Sequence, residues 1–185
     1  MQDYKTFLAE ILVTKEQLQN RIAELGQEIT RDYNGEEVLL ICILRGGVLF
    51  LTDLMRQIDL PLAVDFMAVS SYGTGAREST GNVRITLDLN TSLEGKNVIL
   101  VEDIVDSGRT IASVLEMLTT RHPKSLVVCT LLDKAERREE DVSLRYTGFI
   151  IPNKFVFGYG LDIDEYYRNL PFIGVVDLEK YRPEG

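Results

Sequence analysis

Three carboxylates, Glu102, Asp103 and Asp106, fall within five residues and lead directly into Ser107-Gly108-Arg109-Thr110. Carboxylates so close together repel one another, which costs stability unless a cation or a hydroxyl-rich ligand makes use of them. Just ahead, residues 98–101 form an unbroken apolar run, Val-Ile-Leu-Val, which reads as a strand buried on both faces. Just behind, Ile111, Val114, Leu115 and Leu118 recur at the spacing of one helix face. The pattern is therefore strand, acidic loop, helix. A helix start offers unpaired N–H groups and the positive end of a dipole, which favour a phosphate. Carboxylates at the end of the neighbouring strand suit a metal or ligand hydroxyls. Together these groups point to a ligand that carries phosphate, hydroxyls and Mg²⁺.

The elements that would position these groups follow from the rest of the chain. Thr14-Lys15-Glu16-Gln17 has the form of a capping box, and Leu18, Ile22, Leu25 and Ile29 continue as a helical stripe that ends near Asn34-Gly35. Residues 37–44 read as a strand, interrupted by Arg45-Gly46-Gly47. A second helix carries Val48, Leu51, Met55 and Ile58 and is stopped by Pro61. Residues 62–69 form a strand with Asp65 in its middle. Residues 70–81, rich in Ser, Thr and Gly, are expected to be a long mobile loop. Strands are predicted again over residues 83–87 and 125–132, the latter ending in Asp133-Lys134. The charge run over 136–141 reads as a solvated face. Short strands at 149–151 and 155–157, a polar and aromatic loop at 158–169, and a last strand at 173–177 complete the pattern. Strands alternating with helices imply an α/β fold, a central mainly parallel sheet flanked by helices on both faces. Such sheets bind ligands beyond the carboxyl ends of their strands. Arg45-Gly46, Glu102-Asp103, Asp133-Lys134 and Asp162 all lie at such ends and are expected to converge on one edge.

The bulk properties narrow the partners. A chain of 185 residues, 45% hydrophobic and 26% charged, suits one domain with a sizeable core. A net charge of −9 argues against general binding to nucleic acid or to an anionic membrane, since both need a basic surface. No apolar run approaches the roughly 20 residues that span a bilayer, and the N-terminus shows no secretory pattern. A cytoplasmic location is expected. Cys42 and Cys129 lie inside apolar runs and read as buried free thiols. His122, the single histidine, reads as structural or surface, so no histidine base rivals Asp106.

Val-Glu-Asp-Ile-Val-Asp-Ser-Gly-Arg-Thr, residues 101–110, resembles the signature of the type I phosphoribosyltransferases, which bind 5-phosphoribosyl 1-diphosphate. The similarity extends to Leu44-Arg45-Gly46-Gly47, Ser70-Ser71-Tyr72-Gly73, Leu132-Asp133-Lys134, residues 154–162 and Glu165-Tyr166-Tyr167-Arg168. These match, in order and approximate spacing, the 6-oxopurine branch of bacterial type. The resemblance implies a single domain over residues 1–185, with a core at about 36–145 and a small hood built from about 1–15 and 150–185. It implies purine salvage: Mg²⁺-dependent transfer of the phosphoribosyl group to N9 of hypoxanthine, and of guanine.

Residue roles follow from the same resemblance. Backbone N–H groups of residues 106–110, with the Ser107 and Thr110 hydroxyls, would cradle the 5′-phosphate, with Gly108 and Arg109 in the same loop. Glu102 and Asp103 would meet the ribose hydroxyls directly or through Mg²⁺, and Asp162 a second Mg²⁺. Asp106 would be the general base near N7 of the purine. Arg45, Gly46 and Arg168 would hold the diphosphate, and Ser71 and Tyr72 would belong to a loop that closes over the reacting centre. Lys134 would donate to the 6-oxo group, which an adenine lacks. Phe155 would stack on the base, with Val156 reading its edge and Asp162 beside it. By resemblance a homodimer or homotetramer is expected. Two other uses of the same scaffold stand beside this one: an RNA-binding regulator, which the net charge and Lys134 oppose, and a catalytically silent ligand sensor, which the retained carboxylates and Arg168 oppose.

Overall fold

The capping box forms as its residues imply. In the computed structural model, which describes residues 2–71 and 83–183, Gln17 N donates to Thr14 Oγ1 and Thr14 N donates to Gln17 Oε1. Helix α1 runs Lys15–Asp32 and buries Leu18, Ile22, Leu25 and Ile29. Strand β2, Val38–Leu44, follows, then helix α2, Val48–Met55, and strand β3, Leu62–Ser71. Helix α2 ends well before Pro61. The chain leaves it to pass beneath α1, where Asp59 N donates to Thr30 Oγ1 and a Cβ on Gly26 would overlap Gln57. Strand β4, Val83–Leu87, strand β5, Asn97–Val105, helix α3, Arg109–Thr119, strand β6, Ser125–Asp133, and strand β7, Leu144–Ile150, complete the larger part of the molecule.

These strands make a six-stranded sheet in the order β4-β3-β2-β5-β6-β7. All neighbours pair in parallel except β3 with β4. Alternate residues of the central strands enter two different cores. Val38, Leu40 and Cys42 of β2 pack with α1 and α2, while Leu39, Ile41 and Ile43 pack with Ile111, Val114 and Leu118 of α3. That two-sided burial is why β2 and β5 read as continuous apolar runs.

A second, three-stranded antiparallel sheet has the order β1-β9-β8. It joins β1, Leu8–Val13, to β8, Val156–Phe157, and β9, Ile173–Val176. Strand β1 has no counterpart in the sequence reading: its apolar alternation is weak and its partner lies at the other end of the chain. An aromatic cluster fills this part, with the Phe7 ring 5.4 Å from Phe157, 5.5 Å from Tyr167 and 5.0 Å from Tyr181. The cluster anchors the loop between β8 and β9, which carries Asp162 and Arg168.

Candidate active site

Strand β5 continues past its apolar run, through Val105, so Glu102 and Asp103 belong to the strand and not to the loop after it. The reason is the ladder with β6: Glu102 pairs with Thr130 and Ile104 with Leu132, and backbone pairing does not depend on side-chain polarity. Burial raises the Glu102 carboxyl well above the usual carboxylate range, and the neighbouring Asp103 raises it further. Burial raises Asp103 as well, against the Ile104 N–H bonded to Oδ1 at 2.9 Å and the positive charge of Arg168. Glu102 Oε2 is buried with no hydrogen-bond partner. Burial, with Glu102 and Asp103 nearby, pushes the Cys42 thiol up to about 12. Cys42 and Cys129 are buried and free.

The turn after β2 packs directly onto this pair. The Leu44–Arg45 peptide is cis. A Cβ on Gly46 would fall on Asp103 Oδ2, so only glycine leaves room for that carboxylate. On the other side a Cβ on Gly160, at φ +98°, would run into Gly46 O. The loop after β8 thus closes over the turn after β2. Arg168 sits in that loop, with Nη1 donating to Gly160 O at 2.8 Å and Nη2 paired with Asp162 Oδ1 at 2.9 Å and Glu165 Oε2 at 3.2 Å. Arg45 Nη2 pairs with Glu165 Oε2 at 2.6 Å. Both arginines expected at the diphosphate therefore share one carboxylate, at the edge where the acid pair lies.

Helix α3 has Gly108 as its N-cap, at φ +86°, a residue with no side chain of its own to offer as a cap. A helix start of this kind is where backbone N–H groups can cradle a phosphate. Ser107 Oγ accepts from Arg109 N at 3.4 Å. Arg109 pairs with Glu139.

The charge run over 136–141 is mostly exposed, as its composition implies. It also folds back over the start of α3. Ala135–Arg137 forms a 3-10 turn, and Glu139 N and Glu140 N donate to Ser107 O at 2.9 and 3.1 Å. Arg138 pairs with Asp133 and lies against Gly108. Arg137 Nε comes within 3.1 Å of Asp106 Oδ1. Lys134, buried at the end of β6, places Nζ 3.3 Å from Asp106 Oδ2. The structure thus joins two residues that were expected to serve base selection and proton transfer, and adds Arg137 and Arg138, which were not expected. A signal for them was available: both follow Lys134 closely enough to curl back in one turn.

The other expected positions are less tightly joined. Val156 is buried in β8, and Phe155 just before it is 45% exposed. Ser71 ends β3, and its expected companion Tyr72 lies outside the described residues, as does most of the expected mobile loop. Among the described residues no three acidic, His or Cys side chains gather closely enough to hold a metal ion by themselves. Asp162 is turned to Arg168 and to Glu165 N, apart from the pair on β5. Glu102 and Asp103 nevertheless supply hard oxygens, one of them unpartnered, which is the donor chemistry Mg²⁺ takes when its other positions are filled by water and ligand oxygens. No helix among the described residues is long and apolar enough to cross a membrane.

Comparison with known proteins gives a consistent result. The phosphoribosyl transferase domain matches residues 10–164. A hypoxanthine-guanine phosphoribosyltransferase of Mycobacterium avium is 50% identical over 97% of this chain and 91% of its own. One from Staphylococcus aureus is 48% identical over 94% of this chain and 97% of its own. A crystal structure of a hypoxanthine phosphoribosyltransferase from Staphylococcus aureus superposes with a TM-score of 0.92 at 46% identity, covering 97% of both chains.

Proposed function

The chain belongs to the phosphoribosyl transferase domain family, in its hypoxanthine-guanine branch, and from that premise we propose that it is a purine-salvage transferase. It moves the 5-phosphoribosyl group from 5-phosphoribosyl 1-diphosphate to N9 of hypoxanthine, and of guanine, giving IMP or GMP. The bond from the ribose anomeric carbon to the diphosphate oxygen breaks, the bond to N9 forms, and the purine gives up its N7 proton. The observation that carries this reading is the meeting of Lys134 Nζ and Asp106 Oδ2 at 3.3 Å, next to the glycine-capped start of α3. A donor for a 6-oxo group, a proton acceptor and a phosphate cradle then share one edge.

Each side chain has a distinct task. The first amides of α3, with Ser107 and Thr110, bind the 5′-phosphate. Lys134, as an ammonium, can only donate, so it favours a 6-oxo acceptor over a 6-amino group. Asp106 takes the purine proton. Arg45 and Arg168 bind the leaving diphosphate, and Gly46 offers backbone to it. Glu102 and Asp103 hold the ribose hydroxyls and would hold Mg²⁺, with Asp162 the donor for a second ion. An ion held by these residues would supply positive charge to offset the diphosphate against this acidic edge. Phe155 covers the purine face, and Val156 contacts its edge. The small antiparallel sheet serves as a hood over the core of one domain, and the chain works in the cytoplasm as a dimer or tetramer.

The test is direct. Protein, 5-phosphoribosyl 1-diphosphate, Mg²⁺ and hypoxanthine or guanine are mixed and nucleotide is followed. Turnover with either purine is expected, and no turnover with both would falsify the reading. In the same assay K134A should lower the preference for hypoxanthine over adenine by about ten- to a hundredfold, as unpairing a recognised polar group does. An unchanged ratio would remove Lys134 from base selection.

A further inference from the structure

Asp106 lies between two cations of different character. Lys134 is buried, its side chain only 8% exposed, and it hydrogen-bonds Oδ2. Arg137 is 43% exposed and meets Oδ1 as a charge 3.1 Å away, off the line of a hydrogen bond. Oδ1 is itself buried and accepts no hydrogen bond. One oxygen is therefore held, and the other keeps its lone pairs while a counter-charge stands beside it.

The two cations cannot serve Asp106 equally through a reaction. On the purine-transfer reading above, on which this inference rests, Lys134 must turn to the 6-oxo group. Its hold on Oδ2 then weakens. Asp106 then loses the hydrogen bond that holds Oδ2, whereas the Arg137 pair at Oδ1 does not depend on Lys134 Nζ. Arg137 is the counter-charge that stays. Its turn is fixed independently: Arg137 N donates to Lys134 O at 2.9 Å, Arg138 pairs with Asp133, and Glu139 N and Glu140 N bond to Ser107 O. We infer that Arg137 is a positioning residue, which keeps the Asp106 carboxylate facing the purine while Lys134 engages the base. The charge run, most of which faces solvent, then also takes part in the reaction through Arg137.

The test compares wild type, R137Q, R137K, D106N and the double variant R137Q/D106N, with hypoxanthine as acceptor. R137Q should lower kcat about tenfold, within what misplacing a reacting group costs. KM for 5-phosphoribosyl 1-diphosphate should hold within about twofold, since Arg137 acts after that ligand is bound. R137K, which restores the charge, should recover most of the loss. In the D106N background R137Q should cost nothing further, because the group it positions is already gone. Melting temperatures should be alike, as Arg137 is well exposed. A kcat for R137Q equal to wild type, an R137K as slow as R137Q, or the same factor lost in both backgrounds would each overturn the assignment while leaving the activity intact. A wild-type chain with no turnover would instead remove the purine-transfer reading, and this inference with it.

Discussion

Two carboxylate sites, one buried and one half-buried, lie on strands that flank β2 in the same sheet, and they are built in opposite ways. Asp65, on β3, is 6% exposed and fully provided for. Its Oδ1 accepts from Phe66 N at 2.8 Å, and its Oδ2 accepts from Asn90 N at 2.9 Å and Thr91 N at 2.8 Å. Burial acts to raise it, but the Phe66, Thr91 and Asn90 donors outweigh that and hold it below the usual carboxylate range. Glu102 and Asp103, on β5, are raised instead, and Glu102 Oε2 has no donor at all. The protein supplies everything Asp65 needs and leaves Glu102 wanting. A buried charge that its own fold satisfies has a structural role, whereas an unsatisfied polar group calls for a partner from outside the fold.

Three substitutions test that contrast, in falling order of their effect on turnover. G46A places a methyl group where Asp103 Oδ2 now lies. Turnover of hypoxanthine should fall about a hundredfold, the scale of a displacement of roughly 1 Å at a reacting centre. Turnover within about twofold of wild type would mean that Asp103 does not need its present position. E102Q replaces the unsatisfied carboxyl with a group that cannot ionise and keeps the shape. Turnover should fall about tenfold while thermal stability holds or rises, because a neutral group is cheaper to bury. A clear drop in melting temperature would place Glu102 with Asp65 as a structural carboxylate.

D65A should do the reverse. Turnover per folded molecule should stay as in wild type, while urea unfolding loses about 2–4 kcal/mol for the stranded backbone donors. That loss should depend on pH in a definite direction. Asp65 titrates lower in the folded chain than in the unfolded one, so its stabilisation is complete above the ordinary aspartate range and fades as pH falls through the lowered value. The stability gap between wild type and D65A should therefore be widest near neutrality and narrow toward pH 3 or below. A gap that does not change with pH would show that the ionised form is not what the three donors hold.

The same contrast explains which parts of the site could be read in advance. Residues 98–101 and 38–44 announce themselves because two-sided burial forces apolar side chains on both faces of a strand. The capping box at Thr14 and Gln17 is local, so four residues suffice to see it. The extension of β5 through Glu102 and Asp103 was not legible, because polar side chains look like a loop while their backbone goes on pairing with β6. Strand β1 was missed for a related reason: it is held by β9, which is remote in sequence. The charge run over 136–141 is solvated, as it reads, but its contacts with the site were not legible, because its partners, Asp106, Asp133 and Ser107, precede it on other elements.

The sequence by itself determined the class of ligand. Residue types are chemistry: an acidic pair at a strand end, a glycine opening a helix and a lysine after a buried strand carry their donors and acceptors wherever they sit, and their order matched one family. Only the tertiary structure decided which of those groups meet. Glycine at position 46 reads as a turn until Asp103 is found against it, and Asp106 reads as a free base until Lys134 and Arg137 are found on either side. Contacts of that kind depend on strand order and register, which are properties of the packed sheet, whereas a local pattern reports only on its own neighbours along the chain.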